Sequence, residues 1–431
     1  MDDETKLSRR RLFGYAGAGA TGLLVAPGLM AADRFVPPSP VDTGHVTDGK
    51  LQFPAWRDLA DTPAAPTPNP LPPEQRVGFA VVGLGRLATE EILPAFAQSK
   101  KAKCVALVSG SPDKLRLVAQ QHGVKPEACY SYDDFDRIRD NPEVKVVYIV
   151  LPNAMHRLYT ERAARAGKHV LSEKPMAANA RDAQAMVDAC KAANVHLMVA
   201  YRIQYEPYNR RLQRFVREKT FGRTLAIHAT NTQTTAPDGA LQWRHKKAMA
   251  GGGSLFDIGL YCLNTSRFLL GEEPVELFAN TYSPPGDPRY ADVEESVNFT
   301  LRFPSNSFAN CFCSYGGRDD KHQRLNLETA AIDMPNAYQY DGQRMTVMHR
   351  EGDATANDEL VLHPKNQFAT EIDHMADCVM QNRRPYTPGE EGVQDHKLME
   401  AIYRSAESGR PVTFPKLDGL DLFRGPPPSE G

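Results

Sequence analysis

Surplus positive charge is the first thing this chain lacks. Its 51 lysines and arginines face 53 aspartates and glutamates, a formal charge of −2 over 431 residues. Neutralising phosphates takes a basic face or stripe, so the balance argues against a nucleic-acid partner. Cysteine is sparse and odd in number, seven in all, which excludes a complete disulfide framework. Cys311 and Cys313 stand two apart on a strand-like stretch and face the same way, too close for a usual bridge. No cysteine and histidine set has zinc spacing, and no metal is expected. The seven read as small buried apolar residues. A long apolar run is missing as well. The one candidate, residues 14–30, is broken by Gly14, Gly17, Gly19, Gly22, Pro27 and Gly28 and is too weakly apolar for stable membrane insertion.

What that segment offers instead is a targeting layout. Ser8-Arg9-Arg10-Arg11-Leu12-Phe13 precedes it and Ala31-Ala32 follows it, the order of a charged region, an apolar region and a cleavage zone. The paired arginines mark residues 1–32 as a twin-arginine signal, so the twin-arginine export machinery is an expected partner and the periplasm the expected location. Residues 33–75 are crowded with proline, including Pro37-Pro38, Pro40, Pro63, Pro66, Pro68, Pro70 and Pro72-Pro73. Such a segment favours extended backbone without a core of its own. It is either a disordered linker or an arm over a neighbouring subunit, anchored by Phe53, Trp56 and Leu71.

The remainder has the composition of an ordinary globular protein, 41 % hydrophobic and 24 % charged. Apolar, β-branched runs at 77–82, 104–108, 144–150, around 170 and at 196–200 alternate with helical patterns at 113–122, 156–166 and 180–193. Repeated strand-helix units of this length predict a Rossmann domain over 76–200, a doubly wound parallel sheet. Beyond it the texture changes to alternating segments at 224–229, 275–281, 296–303 and 308–314. These predict a second α/β domain over 201–415 with a large, mostly antiparallel open sheet, suited to lie against a partner. Helices at 367–380 and 393–407 pack back onto the body, and 416–431 is a C-terminal tail.

The first strand runs directly into Gly83-Leu84-Gly85-Arg86-Leu87-Ala88 and then a helical pattern. This is G-x-G-x-x-A in the context that gives it meaning. Gly83 permits the tight turn, Gly85 lets backbone approach a pyrophosphate, and Ala88 allows close helix packing. The second strand ends in Ser109-Gly110-Ser111, with Lys114 beyond, where an NAD enzyme usually carries an acid for the ribose 2′-hydroxyl. Ser109 and Lys114, with Arg86, favour NADP; Asp113 is accounted for by the first turn of a helix. Leu151-Pro152-Asn153 and His156 follow another strand and could touch the nicotinamide ribose, although His156 could equally cap or pack.

The strand near 170 ends in Ser172-Glu173-Lys174-Pro175. An ammonium at the carboxyl end of a buried strand, with Glu173 before it and proline after it, can meet a polar group of a substrate. Read alone, Lys174 is also consistent with a surface lysine. Downstream, Gly251-Gly252-Gly253-Ser254-Leu255-Phe256-Asp257-Ile258-Gly259-Leu260-Tyr261 enters a helix, with Asp257 and Tyr261 four apart on one face. A phenol beside a cation such as Lys174 can exchange a proton with a sugar hydroxyl; Tyr261 could also be a half-buried core tyrosine. Tyr201-Arg202, Tyr205 and Trp243-Arg244 could add walls and donors.

Together, the G-x-G-x-x-A turn, Glu173-Lys174-Pro175 and residues 251–261 resemble the Gfo/Idh/MocA oxidoreductases. The resemblance runs from about 76 to 413 and includes Ala106-Leu107-Val108-Ser109-Gly110, Ala166-Gly167-Lys168-His169-Val170, residues 251–274 and Pro388-Gly389-Glu390-Glu391-Gly392. Within the family it closely resembles the members that pass a hydride between two sugars. It implies Lys174 and Tyr261 as catalytic pair, Asp257 as catalytic and substrate contact, Tyr201 as substrate contact, and Ser109 and Lys114 in a tight NADP site. Gly83, Leu84, Gly85, Arg86, Leu151, Asn153, His156, Glu173, Arg202, Trp243 and Arg244 complete the expected cofactor contacts. The implied reaction oxidises a glucose-like aldose to an aldonolactone and reduces a fructose-like ketose or an aldose to an alditol, in a homo-oligomer, dimer or tetramer. The chain departs from the family at Arg86, where lysine is commoner, in its longer arm, and at Ile203-Gln204 near the expected sugar site. Three other activities fit the same motifs: an NADP-dependent aldose dehydrogenase with exchangeable cofactor, an NAD-dependent glycoside hydrolase, and a non-catalytic nicotinamide-binding scaffold.

Overall fold

The run 77–82 is apolar throughout, and in the computed structural model every residue of the strand Val77–Val82 is buried. The structure describes residues 45–48, 50–52 and 69–428; the targeting segment, most of the proline-rich stretch, and Phe53 and Trp56 lie outside them. A strand buried on both faces belongs in a parallel sheet covered by helices. Six parallel strands lie in the order Cys129–Tyr130, Ala102–Val108, Val77–Val82, Val144–Ile149, His169–Glu173 and Leu197–Ala200. Along the chain this is 3-2-1-4-5-6, a doubly wound order that reverses direction beside the first strand. Ligands of such sheets sit there, outside the carboxyl ends.

Ten strands from Thr224–Thr234 to Val412–Thr413 build the second sheet. Neighbours run antiparallel except Thr224–Thr234 and Phe308–Ser314, which run parallel. Along the latter strand Ala309, Cys311 and Cys313 point inward while Phe308, Asn310 and Phe312 point outward, as a period of two demands. The helix Leu260–Leu270 covers the inner face. The outer face exposes Phe278, Phe308, Phe312 and Met348.

Late helices tie the halves together. Gly389–Ser408 packs on the helix Ala180–Ala192 of the nucleotide half and on the strand Glu276–Tyr282 of the other. The segment expected to be a tail is drawn into this region. Arg424 is buried, and its guanidinium donates to Glu391 Oε1 at 2.8 Å. Glu391 also accepts from Gln204 and Asn264, and beside it Arg267 bonds Glu273 and Asp395. Such a cluster of buried ions holds only while each charge keeps its partners.

In the N-terminal unit, of which residues 45–48 and 50–52 are described, His45–Thr47 pairs antiparallel with Lys50–Gln52. No proline falls between Pro40 and Pro54, and Asp48 adopts φ 52° before Gly49, the Asp-Gly hairpin signature. That hairpin departs from the expectation of extended backbone throughout the arm.

Candidate active site

Each loop at the carboxyl ends of the parallel strands contributes to one cleft of about 520 Å³. After the first strand Gly83 turns with φ 95°, where a Cβ would collide with the Val150 carbonyl. At Gly85 a Cβ would meet nothing within 4 Å; the loop presents bare backbone to open space, as an approaching pyrophosphate requires. The helix beyond begins with a π turn, Ala88–Ile92. Ser109 is buried at the end of the second strand, Lys114 Nζ donates to the Leu84 carbonyl at 3.2 Å, and the Arg86 side chain is 87 % exposed. Among the described residues the only acids lining the cleft are Glu173 and Asp257, neither in the Ser109 loop. That donor set can receive a 2′-phosphate.

Lys174, Asp257 and Tyr261 come together at another wall of the cleft. Lys174 Nζ donates to the Asp257 carbonyl at 2.7 Å and lies 3.5 Å from its Oδ1. The same ammonium stands 4.6 Å from the Tyr261 ring centre. It meets the face of the ring, a cation-π contact, where the expectation had been of a cation beside a phenol. A second π turn, Leu255–Gly259, leads into the helix bearing Tyr261; such turns recur at functional sites. Asp257 Oδ2 accepts from the Tyr315 hydroxyl at 2.9 Å and lies 3.5 Å from Arg244 Nε. Burial alone would raise this carboxyl, but Lys174, Arg244 and the Tyr315 hydroxyl hold it below the usual range.

Arg202 is the other cation of this wall. Its guanidinium lies 4.9 Å from the Tyr261 ring and 4.5 Å from that of Tyr340, and donates to the carbonyls of Tyr338 and Gln339 and to Gln367 Oε1. Leu84, Leu151, Asn153, Glu173 and Trp243 also line the cleft. Five expected or suspected contacts do not. His156 is fully buried with Nε2 at 2.7 Å from the Leu151 carbonyl and Nδ1 beside those of Pro175 and Met176. It braces the loops behind the cleft. Burial lowers the ring's affinity for a second proton, opposed by the carbonyls of Leu151, Met176 and Pro175. Tyr201 is buried toward Asp395, on the opposite side of the chain from Ala200 and Arg202. Tyr205 bonds Thr387, and Gln204 bonds Asn264 and Glu391, so neither they nor the buried Ile203 reaches a sugar site. Tyr132, Tyr340, Phe368 and Tyr315 were not legible; the three tyrosines come from loops and Phe368 from the first turn of the helix Gln367–Gln381, with no motif around them.

Two family models cover most of the body. An oxidoreductase family with an NAD-binding Rossmann fold matches residues 77–201, and the GFO/IDH/MocA C-terminal domain matches 209–330. The chain belongs to the Gfo/Idh/MocA oxidoreductases. Within this family it is 33 % identical over 337 residues to the NADP(+) D-xylose 1-dehydrogenase of Haloarcula marismortui, covering 77 % of this chain and 91 % of that one. It is 41 % identical to an aldose-aldose oxidoreductase from Caulobacter crescentus, solved with glycerol, at a TM-score of 0.75 over 79 % of this chain and all of that one. A levoglucosan dehydrogenase solved with NADH and levoglucosan shares the fold, at 21 % identity and a TM-score of 0.70 over 79 % of this chain and all of that one. Membership makes the chain an NAD(P)-binding oxidoreductase, with the Rossmann cleft as its nucleotide site.

Proposed function

We propose that this protein is a sugar oxidoreductase of the glucose-fructose oxidoreductase type, holding NADP tightly and serving two sugars in turn. One, a glucose-like aldose, leaves as its aldonolactone; the other, a fructose-like ketose or an aldose, leaves as an alditol. The observation that carries this reading is a single cleft in which the Ser109, Lys114 and Arg86 cation-and-hydroxyl set shares walls with Lys174, Asp257 and Tyr261. Likeness to an aldose-aldose oxidoreductase supports a two-sugar cycle and favours an aldose as acceptor.

Bound dinucleotide would supply a reversible acceptor for two electrons and a hydrogen. The chain supplies the rest. Tyr261 removes the hydroxyl proton from the first sugar and returns one to the carbonyl oxygen of the second. Lys174, over the ring, opposes charge that develops on the phenol or on the sugar oxygen. Asp257, ionised between Lys174 and Arg244, accepts from a neighbouring sugar hydroxyl and fixes its orientation. Two sugars using one cleft in succession give ping-pong kinetics.

The open sheet face, with Phe278, Phe308 and Phe312, is the proposed contact of a dimer or tetramer. Twin-arginine export to the periplasm fits the arrangement, since a cofactor that never leaves needs no pool outside the cytoplasm.

The test uses protein purified with no nicotinamide added. Reduced-nicotinamide absorbance should rise when an aldose alone is added and bleach when an acceptor sugar follows. Signal that appears only after NADP+ is supplied would favour the second reading, an aldose dehydrogenase with exchangeable cofactor, which the D-xylose 1-dehydrogenase likeness supports. At the nucleotide end, Ser109→Asp should weaken NADP+ binding ~10- to 100-fold relative to NAD+, through loss of one charge-assisted hydrogen bond and added repulsion. An unchanged affinity ratio would remove Ser109 from the 2′-phosphate site.

A further inference from the structure

Behind Lys174 runs a line of three oxygens that the chemistry above does not use. The Tyr148 hydroxyl lies 2.8 Å from Glu173 Oε1 and 3.1 Å from Glu371 Oε1. Tyr148 and Glu371 are fully buried, and Glu173 is 7 % exposed at the cleft wall. A phenol has one hydrogen and two carboxylates have none, so both contacts are hydrogen bonds only when one carboxyl carries a proton.

Neighbouring charges say which one. Tyr148 comes from the strand Val144–Ile149, Glu173 and Lys174 from the next strand and its loop, and Arg202 and Tyr205 from the turn after Ala200. Neither cation bonds the pair: Lys174 Nζ is directed to Asp257 and the Arg202 guanidinium to two carbonyls and Gln367. Glu173 Oε2 accepts the Lys174 backbone N–H at 3.2 Å, whereas Glu371 Oε2 has no partner. Burial, then the charge of Glu173, pushes the Glu371 carboxyl well up; burial raises Glu173 too, opposed by Tyr148, Lys174 and Arg202.

We propose that the proton held on Glu371 while positive charge occupies the cleft passes through Tyr148 to Glu173 when that charge leaves, and returns when the charge does. In the outward transfer the Glu371 hydrogen moves to the Tyr148 oxygen as the hydroxyl hydrogen of Tyr148 passes to the Glu173 carboxylate. The return reverses both transfers, and only O–H bonds are made or broken. The charge in question is that of a nicotinamide ring, lost on reduction; to that extent the inference rests on the redox reading above. For an enzyme that must return what it takes, compensation of this kind keeps the two oxidation states of the cleft closer in stability.

The test is infrared spectroscopy of the enzyme with oxidised nucleotide bound and again after reduction by borohydride, which needs no sugar. The protonated-carboxyl stretch should shift on reduction in the wild type, as the proton moves from one carboxyl to the other. In E371Q the resting band should be lost; in Y148F the resting band should stay and not shift. Thermal unfolding identifies any variant that has not folded. No difference band between wild type and folded E371Q in either oxidation state would overturn the proposal, and so would a wild-type response in folded Y148F. If sugars fail to reduce the nucleotide, the redox reading falls while the borohydride comparison still reports on Glu371.

Discussion

Tyr261→Phe should lower turnover by about 10²- to 10⁴-fold, the usual contribution of a positioned acid or base, while nucleotide stays bound. The substitution keeps the ring, and with it the contacts to Lys174 at 4.6 Å and Arg202 at 4.9 Å. Only the exchangeable proton goes. A loss confined to the Michaelis constant would make Tyr261 a binding wall. Near-normal turnover would pass the proton role to another group, with Asp257 the first candidate. The measurement is single-turnover reduction of bound nucleotide by an aldose, which separates chemistry from sugar exchange.

Arg424→Ala should cost about 3–5 kcal/mol of stability, the range for breaking one half of a buried ion pair. Glu391, fully buried, would keep its amide donors Gln204 and Asn264 but lose the cation at 2.8 Å. Arg424→Met with Glu391→Gln should recover part of the loss, because a pair removed together leaves no stranded charge. Chemical denaturation checks both variants. A midpoint for the single variant equal to the wild type would mean that water replaces the guanidinium.

How much of this could be read in advance follows the strength of local signals. Five strands of the parallel sheet were legible because they are largely buried on both faces and read as apolar runs, as at 77–82 and 144–149; the sixth, Cys129–Tyr130, is too short to read. The five strands from Gly316–Asp320 to Ala354–Leu360 were not. Ala354–Leu360 is exposed at most positions, and its Asn357-Asp358-Glu359 reads as loop. Lys174, Asp257 and Tyr261 could be named because each sits in a motif with a fixed element before it. Tyr201 was misplaced, and His156 left between cofactor contact and packing, because sequence near a strand end does not say which way a side chain turns. Tyr201 faces the ion cluster and His156 the loops behind the cleft.

The position of Arg424 also bears on how the protein is made. Gln204, Asn264 and Glu391, the residues it joins, leave the ribosome well before it. At ~5–20 residues per second, the helix bearing Glu391 waits a few seconds with its carboxylate lacking that cation. Synthesis halted in that interval yields a product that keeps the buried Glu391 carboxylate without its guanidinium and is destabilised accordingly.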